Sequence, residues 1–128
     1  MKSVALCGSR RFKKEIRNFA DKLEKAGVVV YQPLLNTDVK IRKLPEHFQY
    51  YSFLGLTHHQ FEAIRKADVV FIYNKGGYMG NSTTLELGFA IALSKPIYAL
   101  EKDADEPCRN ILIDKVIKTP KHLINQLK

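Results

Sequence analysis

Residues 68–73 (DVVFIY) constrain the fold of this chain more than any other stretch. A strand with one wet face alternates polar and apolar side chains, and this run is apolar almost throughout. It reads as a strand buried on both faces. Such strands lie in parallel sheets with helices packed on each side. A glycine-rich loop (74–81, NKGGYMGN) and a helix over 82–94 follow directly. The same order opens the chain. Residues 3–7 (SVALC) form a short apolar strand that stops at Gly8. Phe12, Ile16, Phe19, Ala20, Leu23 and Ala26 then recur at helical spacing, which predicts an amphipathic helix over 12–26. Gly27 stops that helix in the manner of a left-handed cap, and 28–31 is a second strand. Strand, helix and strand in this span make a βαβ unit, with parallel pairing and a right-handed crossover.

The remaining segments extend this pattern. Thr57 can cap a helix through Lys66 with Phe61 and Ile64 inward. Lys95–Pro96 ends the helix over 82–94, and 97–100 is a fourth strand. A short helix is expected over 110–113 and a fifth strand over 115–118. Thr119–Pro120 opens a last helix with a cap and a proline in its first turn. Residues 33–56 read as irregular, with Pro33, Pro45 and Gly55 among several aromatics. Phe48, Tyr50, Tyr51 and Phe53 could stack a nucleobase, but covering the core is the expected role. The fold class is therefore α/β: three layers, doubly wound, with a mostly parallel five-stranded sheet of the flavodoxin or Rossmann kind. Ligands of such folds bind at the carboxyl ends of the strands, near the switch point.

The 128 residues fit one domain spanning 1–128. No apolar run approaches the ~20 residues of a membrane span. Residues 4–7 are too short for a signal-peptide core, so a cytoplasmic protein is expected. Cys7 and Cys108 stand too far apart in sequence for a disulfide framework or a Cys-rich zinc site, and no metal or cofactor is expected. Cys7 reads as a small core residue, and His47 and His122 as surface residues. Charge is the first functional hint: 21 Lys and Arg against 13 Asp and Glu give +8. Eight basic and three acidic side chains fall within residues 1–31. A positive field focused on one loop and helix suits a small anionic ligand better than an extended nucleic acid. A solvated basic helix face is the plainer alternative.

Two loops leave strand ends and open helices. In the first, Gly8 permits close backbone approach, Ser9 offers a hydroxyl, and Arg11 adds a planar fork for phosphate or carboxylate. It is neither a Walker loop nor a dinucleotide fingerprint. A tight turn with a capping Ser and solvated arginines is the structural alternative. The second loop runs from Gly76 through Gly80 to the small polar residues Asn81, Ser82, Thr83 and Thr84. Glu86 follows about one turn into the helix. The positive helix end is expected to keep it ionised, as a nucleophile at this sheet edge would need to be. An ordinary acidic residue near a helix start is the alternative.

The two segments together resemble the nucleoside 2-deoxyribosyltransferase family and its relatives, the 2'-deoxynucleoside 5'-monophosphate N-glycosidases. VALCGSRR (4–11) is similar to the opening strand and Gly-Ser-x-Arg loop of the hydrolase branch. ADVVFIYNKGGYMGNSTTLELGFAIALSKPIYAL (67–100) is similar to the family's strand, Gly/Ser loop, Glu-x-Gly-x-Ala helix and Lys-Pro strand. The resemblance implies a reaction at an N-glycosidic bond, in which Glu86 attacks the anomeric carbon and a glycosyl-enzyme is resolved by water or another base. It implies substrate contacts by Gly8, Ser9 and Arg11 at a 5'-phosphate and sugar, and by Gly80 and Ser82 in the second loop. Asn110 matches a polar residue that the family reaches across a dimer interface. Two positions depart from the pattern: Ala5 stands where the hydrolase branch has Tyr, and Gln60 where it has an Asp that helps the leaving base. Gln60 can hydrogen-bond a base edge but cannot transfer a proton, and His58 or His59 could take that role instead.

The expected activity is cleavage or transfer at the N-glycosidic bond of a nucleoside or its 5'-monophosphate. The rival is a nucleotide-binding sensor or regulatory module of the same fold that does not turn over. The helix over 82–94 is apolar around much of its circumference, which predicts a homodimer at least, with this helix or that over 57–66 in the interface.

Overall fold

The computed structural model describes residues 1–35 and 38–128; Asn36 and Thr37, inside the segment expected to be irregular, lie outside the described residues. The described strands form one sheet: β1 (Val4–Gly8), β2 (Val30–Tyr31), β3 (Val69–Tyr73), β4 (Ile97–Ala99) and β5 (Lys115–Val116). Their order is β2-β1-β3-β4-β5, and every pair is parallel. The central pair runs in register from Val4 opposite Val69 to Gly8 opposite Tyr73. The sheet is the doubly wound one expected. β2 and β5 are shorter than expected, each holding two residues. Both are edge strands with a partner on one side only.

Alternation along the central strands builds two cores. Val4, Leu6, Val69 and Phe71 point to one face, where Ile16, Phe19, Ala20 and Leu23 of α1 (Lys13–Lys25) and Leu123 and Leu127 of α6 (Pro120–Leu127) cover them. Phe19 stacks on Phe71 with centroids 4.8 Å apart. Ala5, Cys7, Val70 and Ile72 point to the other face, under α3 (Glu46–Lys66) and α4 (Asn81–Ala92). Leu87 and Ala90 of α4 and Ile64 of α3 close that layer. Both faces of β3 are buried, as the DVVFIY run requires.

Three boundaries differ from expectation. The helix expected over 57–66 is only the second half of α3, a 21-residue helix that begins after Pro45. Its first half shows no apolar stripe because it does not lie on the core: Phe48, Tyr50 and Tyr51 are 53%, 63% and 67% exposed. These rings therefore do not cover the core, contrary to expectation. A further short helix, α2 (Asp38–Arg42), precedes it. The helix expected over 110–113 is α5 (Pro107–Asn110). Pro107 sits in its first turn and the Glu106 carboxylate accepts from the Cys108 N–H at 3.1 Å, which places the start three residues earlier.

Candidate active site

The chain leaves β1 on one side of the sheet to reach β2, then returns to β3 on the other side of β1. The loops after β1 and β3 therefore lie side by side at the switch point, where open α/β sheets bind ligands. Gly8 closes β1. A Cβ there would stand 2.8 Å from the Ile16 side-chain tip and 3.0 Å from the Tyr73 carbonyl, so glycine lets the two strands and α1 approach closely here. Ser9 caps the single 3₁₀ turn Arg10–Phe12, its hydroxyl accepting from the Arg11 N–H at 3.3 Å. The Arg11 guanidinium lies over the Tyr78 ring, 3.5 Å from its centroid. Tyr78 also meets Phe12 edge to face and borders Gly80. One aromatic ring thus joins the two loops and sets the direction of the Arg11 fork.

The second loop is a scaffold first. Gly76 and Gly77 take left-handed φ values of 68° and 78°. A side chain at Gly77 would collide with the Lys102 carbonyl and Ala104. The Gly76 N–H donates to the Glu101 carboxylate, and Lys118 pairs with that carboxylate at 3.3 Å. The Gly76 bond is the main reason that the Glu101 carboxyl titrates below its ordinary range. Asn74 is fully buried and exchanges both amide bonds with the Glu101 backbone, at 2.8 and 3.0 Å. These contacts lock the end of β3 to the end of β4.

Gly80 precedes α4 and its carbonyl accepts from the Thr84 N–H at 3.0 Å and the Thr84 hydroxyl at 2.8 Å. Ser82 is exposed in the first turn of α4. Arg109 makes a two-pronged pair with Asp103 at 2.7 and 3.1 Å and reaches the Thr84 hydroxyl at 3.4 Å. Burial raises the Asp103 carboxyl, but the Arg109 pair and the N–H groups of Asp105 and Glu106 outweigh it and hold it low. Asn110 belongs to this knot within its own chain: its amide oxygen accepts from the Asp103 N–H at 3.2 Å.

Glu86 is the sixth residue of α4. Its Oε2 is fully shielded and has no hydrogen-bond partner. Burial pushes this carboxyl up to about 8. The expectation that the helix end keeps it ionised is therefore corrected: in the resting chain Glu86 is largely protonated at neutral pH. Cys7 lies beside it on β1. Burial, and then the Glu86 charge, push its thiol well above the usual range, against the pull of a bond from Gln60. Gln60 is buried on α3, and its Nε2 donates to the Leu6 carbonyl at 3.0 Å and to Cys7 Sγ at 3.3 Å. β2 pairs with β1 only as far as Ala5, and Gln60 takes up the next carbonyl along. Its Oε1 has no partner. Among the described residues, Gln60 Oε1 and Glu86 Oε2 are the two buried side-chain atoms left without one, and both belong to groups around the Cys7 thiol.

The structure thus brings Gly8, Ser9, Arg11, Gly80 and Ser82 to the two adjoining loops, with Gln60 and Glu86 beneath them, and puts Asn110 in the neighbouring knot. His58 and His59 are both exposed. His59 lines a separate cleft of about 310 Å³ with Tyr31, Gln32 and Glu62. Sequence reasoning missed Tyr78, Asn74 and Arg109. An aromatic between glycines and a polar residue ending an apolar strand were the available signals for the first two.

The family model described as nucleoside 2-deoxyribosyltransferase matches residues 5–123. No curated protein matches the chain in sequence. Among solved structures, the chain is similar to a 2-deoxyribosyltransferase from Bacillus psychrosaccharolyticus, at 16% identity and a TM-score of 0.63, covering 96% of this chain and 90% of that one. It is similar to a conserved protein from Enterococcus faecalis V583, at 14% identity and a TM-score of 0.63, covering 99% and 97%. It is also similar to the CMP N-glycosidase BcmB of Clostridium botulinum, at 18% identity and a TM-score of 0.57, covering 98% and 97%. At these identities the likeness is one of fold.

Proposed function

This chain belongs to the nucleoside 2-deoxyribosyltransferase family, and on that premise we propose that it cleaves or transfers at the N-glycosidic bond of a nucleoside or its 5'-monophosphate, with Glu86 as the nucleophile. The observation that carries the reading is the pair of unpartnered buried oxygens, Glu86 Oε2 and Gln60 Oε1, on two side chains that both act on the Cys7 thiol at the end of β1. A shielded carboxyl without a partner is costly to maintain and has no structural use here. A sugar seated against it supplies both hydroxyl donors and an electrophilic carbon.

In the proposed reaction the ionised Glu86 attacks the anomeric carbon. A new ester C–O bond forms, the C–N bond breaks, and its electron pair leaves with the base, which takes a proton from solvent. Water, or a second base, then attacks the same carbon and releases Glu86 as carboxylate. The phosphate of a monophosphate would lie on Ser9, whose hydroxyl proton is free to donate, on Arg11, oriented by Tyr78, and on Ser82. Because Glu86 must lose its proton first, kcat/KM should rise with pH toward about 8.

The binding-module reading retains one specific support: Gln60 replaces a group able to move a proton, and its amide is committed to Leu6 and Cys7. Screening nucleosides and monophosphates for free-base release by chromatography separates the two. Glu86→Gln keeps the shape, should abolish release, and should leave monophosphate affinity within a fewfold. Release that survives in Glu86→Gln would remove Glu86 from the nucleophile's role.

A further inference from the structure

We infer that the outer face of the α1–α6 layer is a docking surface for duplex nucleic acid, held through its phosphate backbone. The inference is independent of the N-glycosidic reading above and concerns a part of the molecule that reading does not use.

Helices α1 and α6 pack side by side on one face of the sheet, over Val4, Leu6, Val69 and Phe71. They come from opposite ends of the chain, and the Lys2 N–H donates to the Leu127 carbonyl at 2.8 Å where those ends meet. This packing gathers the charge of the molecule. Residues 1–31 and 115–128 carry twelve basic and three acidic side chains, whereas residues 32–114 carry nine and ten. The whole excess of +8 therefore rests on this layer and the strand ends that lead into it. In sequence order only the first segment stands out; the second joins it because α6 lies beside α1. Helix α6 contains no acidic residue to offset its lysine.

The exposed side chains suit a row of phosphates. Ile16, Phe19, Ala20 and Leu23 turn inward from α1, which leaves Lys14, Lys22 and Lys25 exposed. Lys121 is exposed on α6 and Lys128 just after it. Asp21 pairs with Lys25 at 2.7 Å. Among the described residues, Lys14, Lys22, Lys121 and Lys128 make no ion pair. Lys14 and Lys22 stand about 12 Å apart along the helix axis. Charge spread in this way follows a line of phosphates instead of closing on one small anion.

The same face argues against other partners. Among the described residues, none of the large apolar side chains that are exposed belongs to α1 or α6. With no ring to stack on, a single strand gains little beyond its charge. With no apolar wedge, a bilayer has nothing to bury. A duplex needs neither. Its bases are already stacked, and its two strands present phosphates more densely along the axis than one strand does.

The test follows the fluorescence anisotropy of a labelled DNA duplex of about 20 base pairs between about 50 and 200 mM salt. The matching single strand and phosphatidylserine vesicles are the other arms. The duplex should bind more tightly than either, and log K should fall against log salt with a slope of about −3 or steeper, as neutralising at least three phosphates requires. Lys14→Gln, Lys22→Gln and Lys121→Gln together should flatten that slope by about two to three and weaken low-salt binding more than tenfold. Lys40→Gln, Lys43→Gln and Lys66→Gln together remove the same charge from the α2–α3 side and should leave duplex binding unchanged. Monophosphate binding and thermal melting should be the same in both triple variants, since none of the six lysines belongs to the candidate site. No duplex binding at low salt would overturn the inference. Equal losses in the two triple variants would overturn it too, because the attraction would then be one of net charge alone. Tighter binding of the single strand would overturn the duplex as partner, and binding to vesicles without the duplex would assign the face to a membrane instead.

Discussion

At Glu86 two effects oppose each other, and magnitude decides between them. A helix N-terminus favours a carboxylate by about 0.3–1 kcal/mol, and the effect fades within the first turn. Glu86 lies beyond that turn, under the seam, where removal from water shifts a carboxyl by several pH units. Desolvation wins. The sign for stability follows. The folded chain holds a proton on Glu86 up to about pH 8, whereas the unfolded chain releases it near 4.5, so Glu86 supports the fold below about 4.5 and that support is lost as pH rises to 8. Glu86→Gln should therefore melt higher than the wild type at pH 9, by an amount on the order of a few kcal/mol, with the gap closing near pH 4. Thermal melts of both proteins across that range measure it. Arg11 carries a separate expectation. A charge-assisted bidentate contact is worth roughly 1.5–3 kcal/mol, so Arg11→Ala should weaken monophosphate binding about ten- to a hundredfold while nucleoside binding barely changes. Equal calorimetric losses for both ligand types would count against a phosphate on that loop.

Among the elements, the Asn74–Glu101 lock is what positions the second loop. Asn74→Ala leaves the Glu101 N–H and carbonyl without their partners at the end of β4, and should cost about 2–4 kcal/mol in urea unfolding. Asn74→Asp should restore only the half of the lock that accepts from the Glu101 N–H. Helix α3 shows why some elements escape a reading of periodicity. Its second half places Gln60, Ala63 and Ile64 on the core, and that half was legible. Its first half exposes Phe48, Tyr50, Tyr51 and Leu54, so no apolar face marks the turns, and Pro45 and Gly55 looked like breakers. Pro45 in fact only precedes the first turn, and Gly55 is exposed with open space around it. At the starts of β1 and β3, Ser3 and Asp68 bond one another three times, at 2.8 and 3.0 Å. That clip spends their polar groups on each other, and both strands begin one residue later than expected, at the first apolar residue of each run, Val4 and Val69.

For the whole molecule, the unpartnered apolar side chains bear on assembly. Leu85 is 64% exposed and Ile91 37% on α4, the helix whose apolar circumference led to the expectation of a homodimer. We expect light scattering at micromolar concentration to give at least twice 14.7 kDa, and Leu85→Lys to shift the particle down toward the 14.7 kDa monomer. A wild-type particle of 14.7 kDa would end that reading. No helix among the described residues is long and apolar enough to cross a membrane. The sequence alone determined the parallel sheet, its two covered faces, the pair of loops at the strand ends and the glutamate on the helix after the second loop. These follow from apolar periodicity, glycine placement and spacing, which are local properties of a chain. Tertiary structure decided the rest: that burial raises the Glu86 carboxyl, that Gln60 bridges the Leu6 carbonyl and the Cys7 thiol, that Tyr78 lies under Arg11, and that Asn74 locks two strand ends. Each depends on residues far apart in the chain meeting in a shielded place, and the dielectric and hydrogen-bond supply of that place exist only once the layers have closed.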